Sequence, residues 1–208
     1  LDRSSAASDV YKRQLITVKA IKVLGKADVI FYGSLVNEEI INKYAPKAMR
    51  IFMGHVKGDA HREHVIKAIM LAKEGLNVVF LKNGDPVIFG RGVEICREAL
   101  RNGIPCEIIP GVSSFTAAAA RFMIELRGVV ALMAYPNIDD DVNADVKVIF
   151  MGTNMIKELA SKLDNNHEMI VVSRVTYPDE EFQRLKPSSG VNDVKSPSLI
   201  FILRRGDH

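Results

Sequence analysis

The chain has 208 residues, of which 48% are hydrophobic and 25% are charged, and its formal net charge is +3. This composition is typical of a folded globular protein, and the charge is too small to indicate nucleic-acid binding. No apolar run is long enough to cross a membrane, and the N-terminus lacks the charged-then-apolar order of a signal peptide. The two cysteines, Cys96 and Cys106, do not make a disulfide framework and are predicted to be small buried residues in a reducing compartment. We therefore expect a soluble cytoplasmic protein.

The first half of the chain alternates between predicted strands and helices. Residues 1–14 are polar and aperiodic, and we predict a tail that lies outside the fold. Helices are predicted at 18–24, 37–44, 59–73 and 93–101, and strands at 29–32, 50–53, 77–81 and 104–109. This alternation predicts an open, largely parallel sheet with helices on both faces.

The second half is predicted to form another α/β domain. Helices are predicted at 115–123 and 155–163, and strands at 129–133, 146–151, 169–172 and 199–203. Residues 136–145 and 186–197 are rich in polar and turn-forming residues and are predicted loops. The predicted organisation is a tail at 1–14, an N-terminal α/β domain at 15–112 and a C-terminal α/β domain at 113–208.

Two glycine-containing loops, each following a predicted strand, carry the main functional signal. Residues 82–92 read KNGDPVIFGRG, and residues 110–114 read PGVSS. Glycine permits close approach of the backbone, and exposed amides in such loops bind polar ligands. Taken alone, the Asn-Gly-Asp-Pro segment is more typical of a tight turn. Neither loop has a Walker or a dinucleotide-binding pattern, which counts against a generic nucleotide-phosphate binder.

Taken together, the two loops resemble the tetrapyrrole (corrin/porphyrin) methylase family. The family pattern is approximately KGGDPFVFGRG followed by GIPxEVVPGVTS, and this chain has KNGDPVIFGRG followed by GIPCEIIPGVSS. The resemblance extends to residues 15–36, 127–128, 150–152 and 171–179. It implies a fold of two α/β domains with a cofactor cleft between them, S-adenosylmethionine as the cofactor, and a homodimer.

The same resemblance implies a reaction and a set of site residues. The reaction is methyl transfer from S-adenosylmethionine to a ring carbon of uroporphyrinogen III, giving precorrin-2 in siroheme and cobalamin biosynthesis. The implied cofactor-binding residues are Asn83, Gly84, Asp85, Ile88, Ser113, Ser114, Met151 and Val175. Because the substrate carries many carboxylates, Arg91, Arg121 and Arg127 are the candidate substrate-binding residues.

Three departures from the family pattern bear on activity. A strand and a Gly-x-Gly-Pro-Gly-Asp-Pro loop precede the matching segment in the family, whereas residues 8–14 here read SDVYKRQ. We expect a truncated start extended by foreign residues, with reduced stability because a missing strand leaves sheet edges unpaired. Gly33 replaces an aspartate proposed for proton transfer. His55 replaces a lysine, and it is the candidate catalytic residue because its imidazole accepts a proton near neutral pH.

Two alternatives stay open at this point. The chain could methylate a later (cobalt-)precorrin such as precorrin-4, or it could be a non-catalytic remnant that binds S-adenosylmethionine or a tetrapyrrole. His61 and His64 lie three residues apart on the predicted 59–73 helix, which offers too few ligands for a metal. We predict that they lie on a solvated helix face and that the protein has no metal site.

Overall fold

The computed structural model describes residues 4–5, 7–8, 13–54, 58–139, 141–187 and 190–205. The chain divides into two compact units, 1–113 and 114–208. Within the described residues, no helix is both long enough and apolar enough to cross a membrane.

The first unit has the alternating order that the sequence predicts. Its elements are β1 (Ser4–Ser5), β2 (Ala7–Ser8), α1 (Val18–Leu24), β3 (Val29–Tyr32), α2 (Glu38–Tyr44), β4 (Met49–Phe52), α3 (Asp59–Lys73), β5 (Val78–Asn83), α4 (Gly92–Arg101) and β6 (Glu107–Ile108). Side-chain caps fix two helix starts. Thr17 Oγ1 accepts the Ala20 N–H at 3.2 Å, and Asn37 Oδ1 accepts the Glu39 N–H at 3.0 Å.

The sheet of the first unit is parallel and buried on both faces, as predicted. β3 pairs in parallel with β4 on one side and with β5 on the other. Successive side chains of a strand point to opposite faces, so Ile30 packs with α1 and α2 while Phe31 packs with α3 and α4. In open sheets covered on both faces, ligands bind at the carboxyl ends of the strands.

Residues predicted to lie outside the fold contribute two short strands to it. β1 pairs in parallel with β6, and β2 pairs in parallel with β5. The expectation that a missing strand leaves sheet edges unpaired is therefore wrong at β5 and β6, whereas reduced stability stays a prediction. The physical reason for the pairing is that a ladder is built from main-chain N–H and C=O groups, which nearly every residue carries. The foreign origin of residues 1–14 stays a prediction.

Cys96 and Cys106 form a disulfide, with a Cα–Cα distance of 5.4 Å. Both were predicted to be unpaired, and that prediction is wrong. Cys96 lies in α4, and the chain turns after this helix and returns towards β6, so the two side chains meet although ten positions separate them. The inference of a reducing compartment rested on unpaired cysteines and loses that support.

The second unit is built on a mixed five-stranded sheet. Its elements are α5 (Ser114–Phe122), β7 (Val130–Ala134), β8 (Val146–Phe150), α6 (Ile156–Ser161), β9 (His167–Ser173), β10 (Glu181–Leu185) and β11 (Ser198–Arg204). The strand order is β10-β9-β11-β8-β7, in which β7 and β8 are parallel and the other neighbours are antiparallel. β10 has no counterpart among the strands predicted from the sequence.

Helices cover both faces of this second sheet. Ile149, Val171 and Ile200 share one hydrophobic cluster with Ile156 and Leu159, the latter two from α6. On α5, the Phe115 ring packs edge-on against that of Phe150, with 6.1 Å between ring centroids. The fold class is therefore two α/β units, as predicted.

Candidate active site

The loop after β5 folds tightly over Pro86. The Gly92 N–H donates to the Pro86 carbonyl oxygen at 2.9 Å. A Cβ atom at Gly90 or at Gly92 would come within 2.8 Å of that oxygen, so both positions require glycine. Phe89 and Arg91 have positive φ angles of 53° and 59°, which non-glycine residues seldom adopt.

The Asp85 carboxylate ties the two glycine loops together. Its Oδ1 accepts the Val87 N–H at 2.7 Å within the first loop, and its Oδ2 accepts the Gly111 N–H of the second loop at 3.2 Å. These loops follow β5 and β6, so the sequence pair predicted to form one site is adjacent in the first unit. Nearby, Asn83 ends β5 and its buried Oδ1 has no hydrogen-bond partner within the described residues.

Two further predicted cofactor residues follow strands that end on the same side of the second sheet. Met151 follows β8 and Val175 follows β9. Both strands are antiparallel to β11, so they run in the same direction and their carboxyl ends lie at the same edge. Met151 is 60% exposed, whereas Val175 is buried. Of the last two predicted contacts, Ser113 is the final residue of the first unit and is buried, and Ser114 is the first residue of the second unit.

Backbone strain concentrates in these same loops. The described non-glycine residues with positive φ are Phe89, Arg91, Met123, Met151, Arg174 and Thr176. All except Met123 lie in the loop after β5 or in the loops that hold Met151 and Val175. Such conformations cost of order 1–3 kcal/mol each and cluster at functional sites, where the surrounding contacts enforce them.

Each arginine predicted to bind substrate already has a partner in its own unit. Arg91 makes two hydrogen bonds to the Glu94 carboxylate, at 2.7 and 2.6 Å, which hold the Glu94 pKa below its usual range. Arg121 Nε donates to Glu180 Oε1 at 3.1 Å. Arg127 donates to a backbone carbonyl oxygen of the last strand at 3.4 Å.

A cavity of 180 Å³ lies at the carboxyl ends of β3, β4 and β5. Gly33 and Gly54 line it, together with His61, Lys82 and Arg91. The predicted catalytic residue His55 follows Gly54 in the chain and falls outside the described residues.

The prediction that His61 is solvated is wrong. The side chain is 3% exposed because it continues the buried stripe of α3 through Val65, Ile69 and Ala72. His64 is half-buried, and its Nδ1 lies 2.7 Å from the Ala60 carbonyl oxygen. Within the described residues, no group of three or more histidine, cysteine or acidic side chains is placed to hold a metal.

Comparison with known proteins connects this arrangement to one family. The sequence profile described as Tetrapyrrole (Corrin/Porphyrin) Methylases matches residues 12–187. The chain belongs to this family.

Named relatives of this tetrapyrrole methylase agree with that assignment. A uroporphyrinogen-III C-methyltransferase of Bacillus subtilis (strain 168) is 36% identical over 171 residues, which are 73% of this chain and 66% of that protein. One from Methanobacterium ivanovii is 32% identical over 210 residues, covering 91% of this chain and 90% of that protein. A solved uroporphyrin-III C-methyltransferase of Thermus thermophilus, complexed with S-adenyl homocysteine, has a TM-score of 0.78 at 25% identity, and the match covers 97% of each chain.

Two residues that line the cavity at the ends of β3, β4 and β5, His61 and Lys82, are not among the predicted site residues of this methylase. Burial, followed by the charges of Arg91 and Lys82, lowers the pKa of His61 to about 4. Burial, followed by the charge of Arg91, lowers the pKa of Lys82 to about 8. Shifts of this kind mark candidate functional groups. The inward stripe of α3 was the sequence signal for His61, and the position of Lys82 beside a strand end was the signal for the lysine.

Proposed function

We propose that this protein is an S-adenosylmethionine-dependent C-methyltransferase acting on uroporphyrinogen III in siroheme and cobalamin biosynthesis. The observation that carries the proposal is the Asp85 carboxylate, which joins the two loops whose sequences resemble those of the family. The relatives that share most of the chain are named for this reaction.

The first loop fits the polar part of such a cofactor. Asn83 offers a buried carbonyl oxygen without a partner in the described residues, and Ile88 offers a half-buried apolar side chain. Binding sites of this kind combine apolar walls with a few placed polar groups. The proposed contacts are Asn83, Gly84, Asp85, Ile88 and Ser113 in the first unit, with Ser114, Met151 and Val175 in the second.

When bound, the cofactor supplies a methyl group on a positively charged sulfur, which is an activated leaving group. The protein then has to hold the acceptor carbon in line with the methyl group, and rigid loops serve that purpose. We propose that His55 accepts the ring proton that leaves afterwards, since Gly33 has no side chain to do so. Arg91, Arg121 and Arg127 are proposed to contact substrate carboxylates by exchanging their present partners. A homodimer in the cytoplasm also stays a proposal.

Methyl transfer is tested by incubating the full chain with methyl-labelled S-adenosylmethionine and uroporphyrinogen III under anaerobic conditions. We expect label in the tetrapyrrole, identified by mass spectrometry, and an equal amount of S-adenosylhomocysteine. Gly92→Ala is expected to abolish transfer because the added Cβ meets Pro86. Gly190→Ala is the matched control, since a Cβ there meets nothing within 4 Å.

Three outcomes separate the open possibilities. Cofactor binding without transfer to any tetrapyrrole would indicate the non-catalytic remnant. Label transfer to a later precorrin, but not to uroporphyrinogen III, would show that the later precorrin is the substrate. Failure of the folded wild-type chain to bind S-adenosylmethionine would contradict the proposal itself.

A further inference from the structure

The cavity at the carboxyl ends of β3, β4 and β5 contains polar groups that the proposed methyl transfer leaves unexplained. Ligands of open α/β sheets bind at this end of the strands. Its 180 Å³ equals the volume of about six water molecules, which accommodates a short carboxyalkyl group. All of its lining residues belong to the first unit.

His61 is the first group that needs a partner. Its side chain is 3% exposed, and its buried Nε2 has no hydrogen-bond partner within the described residues. Leaving a buried polar atom unsatisfied costs of order 1–3 kcal/mol, so such atoms in folded proteins call for an explanation. A ligand that enters the cavity would supply the missing partner.

Lys82 is the second such group. Its half-buried ammonium lies 5.8 Å from the centroid of the Phe80 ring, and within the described residues no carboxylate is at ion-pair distance from it. Glu94 is the carboxylate whose charge acts on both Lys82 and His61, but both of its oxygens are engaged by Arg91. Within the described part of the chain, the cavity therefore carries a positive charge that no neighbouring carboxylate pairs with.

Together, His61 and Lys82 determine which kind of chemical group this cavity can bind. A metal cation would be repelled by Lys82 and Arg91, which face His61. A carboxylate satisfies both requirements, because one oxygen pairs with an ammonium and the other accepts an imidazole N–H. Charge-assisted hydrogen bonds of this kind are about twice as strong as neutral ones.

We propose that this cavity binds one carboxylate side chain of the tetrapyrrole substrate, with Lys82 Nζ as its ion-pair partner and His61 Nε2 as its hydrogen-bond donor. The proposal rests on the proposed function for the identity of the substrate. It assigns substrate recognition to two residues outside the set of arginines predicted from the sequence.

Steady-state kinetics of the full chain test this assignment. Lys82→Met is expected to raise the KM for uroporphyrinogen III by roughly tenfold or more while kcat changes less than threefold. Lys82→Arg restores part of the loss because it restores the charge. Lys67→Met is the matched control, since Lys67 is exposed on α3. The S-adenosylmethionine Kd should be the same in all four proteins.

An esterified substrate separates carboxylate recognition from a general structural effect. With the carboxylates of the tetrapyrrole converted to methyl esters, wild type and Lys82→Met should have the same KM. An unchanged KM for the free acid in Lys82→Met would overturn the proposal, and so would an equal penalty on acid and ester. His61→Gln provides a second variant, with the same expected selectivity for the acid.

A binding measurement keeps this inference separate from the proposed function. The imidazole of His61 is titrated by NMR in sodium acetate and in sodium chloride of equal ionic strength. Acetate should raise the His61 pKa in wild type but not in Lys82→Met, whether or not the protein methylates uroporphyrinogen III. An absence of any acetate effect would overturn the carboxylate site, whereas failed methyl transfer with an intact acetate effect would overturn the proposed reaction alone.

Discussion

The cavity of the first unit and the loop after β9 in the second unit differ in whether their polar groups have hydrogen-bond partners. In the loop after β9, carboxylates hold the strained backbone: the Thr176 N–H donates to Glu180 at 2.7 Å, and Arg174 donates to Asp179 at 2.7 Å. In the cavity, His61 Nε2 has no hydrogen-bond partner, and no carboxylate reaches Lys82 within the described residues. Satisfied polar groups stabilise a conformation, whereas unsatisfied buried ones reduce stability and are available to a ligand.

Asp85 is the exception that tests this contrast most strongly, because it is a satisfied group within the first unit. Asp85→Ala removes the acceptor for the Val87 and Gly111 amides and releases the two loops from each other. We expect kcat/KM for methyl transfer to fall by roughly 100-fold, the scale associated with small misplacements of a site. Asp193→Ala, at an exposed position, is the control and should retain activity. Similar rates in the two variants would show that the bridge is unimportant.

Glu180 should make a large contribution to the stability of the second unit. Its side chain is 12% exposed and accepts from both Arg121 and the Thr176 N–H. Glu180→Ala removes the carboxylate that holds both Arg121 and the amide of Thr176, whose φ is 69°, so we expect a loss of about 2–3 kcal/mol in the free energy of unfolding by urea. Glu158→Ala removes an exposed ion pair with Lys162 at 2.8 Å and should cost about 0.5 kcal/mol or less. Equal losses would remove the distinction between anchored and surface carboxylates.

His61 should make stability depend on pH. Its folded-state pKa of about 4 lies below the ordinary 6.5, so the unfolded chain binds more protons between these values. Stability is then highest above pH 6.5 and falls by about 2 kcal/mol as the pH drops towards 4. The charges facing His61 are those of Arg91, Lys82, Glu94 and His64. In urea unfolding at pH 7 and pH 4.5, His61→Gln should lose this part of the slope and His64→Gln should keep it.

Lys82 should reduce stability at neutral pH. Its pKa is lowered from 10.5 to about 8, so the cost of burying the ammonium grows as the pH falls from 10.5 to 8 and is fully present below 8. Lys82→Met should therefore raise the free energy of unfolding at pH 7 by about 1–2 kcal/mol, after allowance for partial exposure. Lys67→Met should change it by about 0.5 kcal/mol or less. Destabilisation by Lys82→Met would mean that the protein already compensates this charge.

Local patterns were sufficient to predict most of the framework. The apolar stripe and glycine stop gave α3 its bounds, and the buried runs at 29–32 and 146–151 marked β3 and β8. β10 is not predicted because its exposed and half-buried positions include Glu181, Gln183 and Arg184. Such a polar pattern is tolerated here because β10 is an edge strand that pairs with only one neighbour. β1 and β2 are not predicted because their pairing uses main-chain groups, which leave no pattern in the side chains.

The candidate site was predictable only in part. The loop sequences indicated which residues to bring together, but the Asp85 hydrogen bond to Gly111 joins segments 26 positions apart and is visible only in the fold. The prediction for His61 is wrong because it treats two histidines at helical spacing as one pair on the same face. The inward positions of α3, continued one turn towards its start, would have placed His61 in the core while leaving His64 at the margin.

The pairing of Ser4–Ser5 with β6 and of Ala7–Ser8 with β5 has a consequence for tolerance to change. A ladder position is recognised by its amide and carbonyl, so many different side chains serve equally well in such a segment. Proline is the residue excluded there on hydrogen-bonding grounds. The strands before the two glycine loops, β5 and β6, thus each pair with a short segment whose side chains can vary while its backbone role persists.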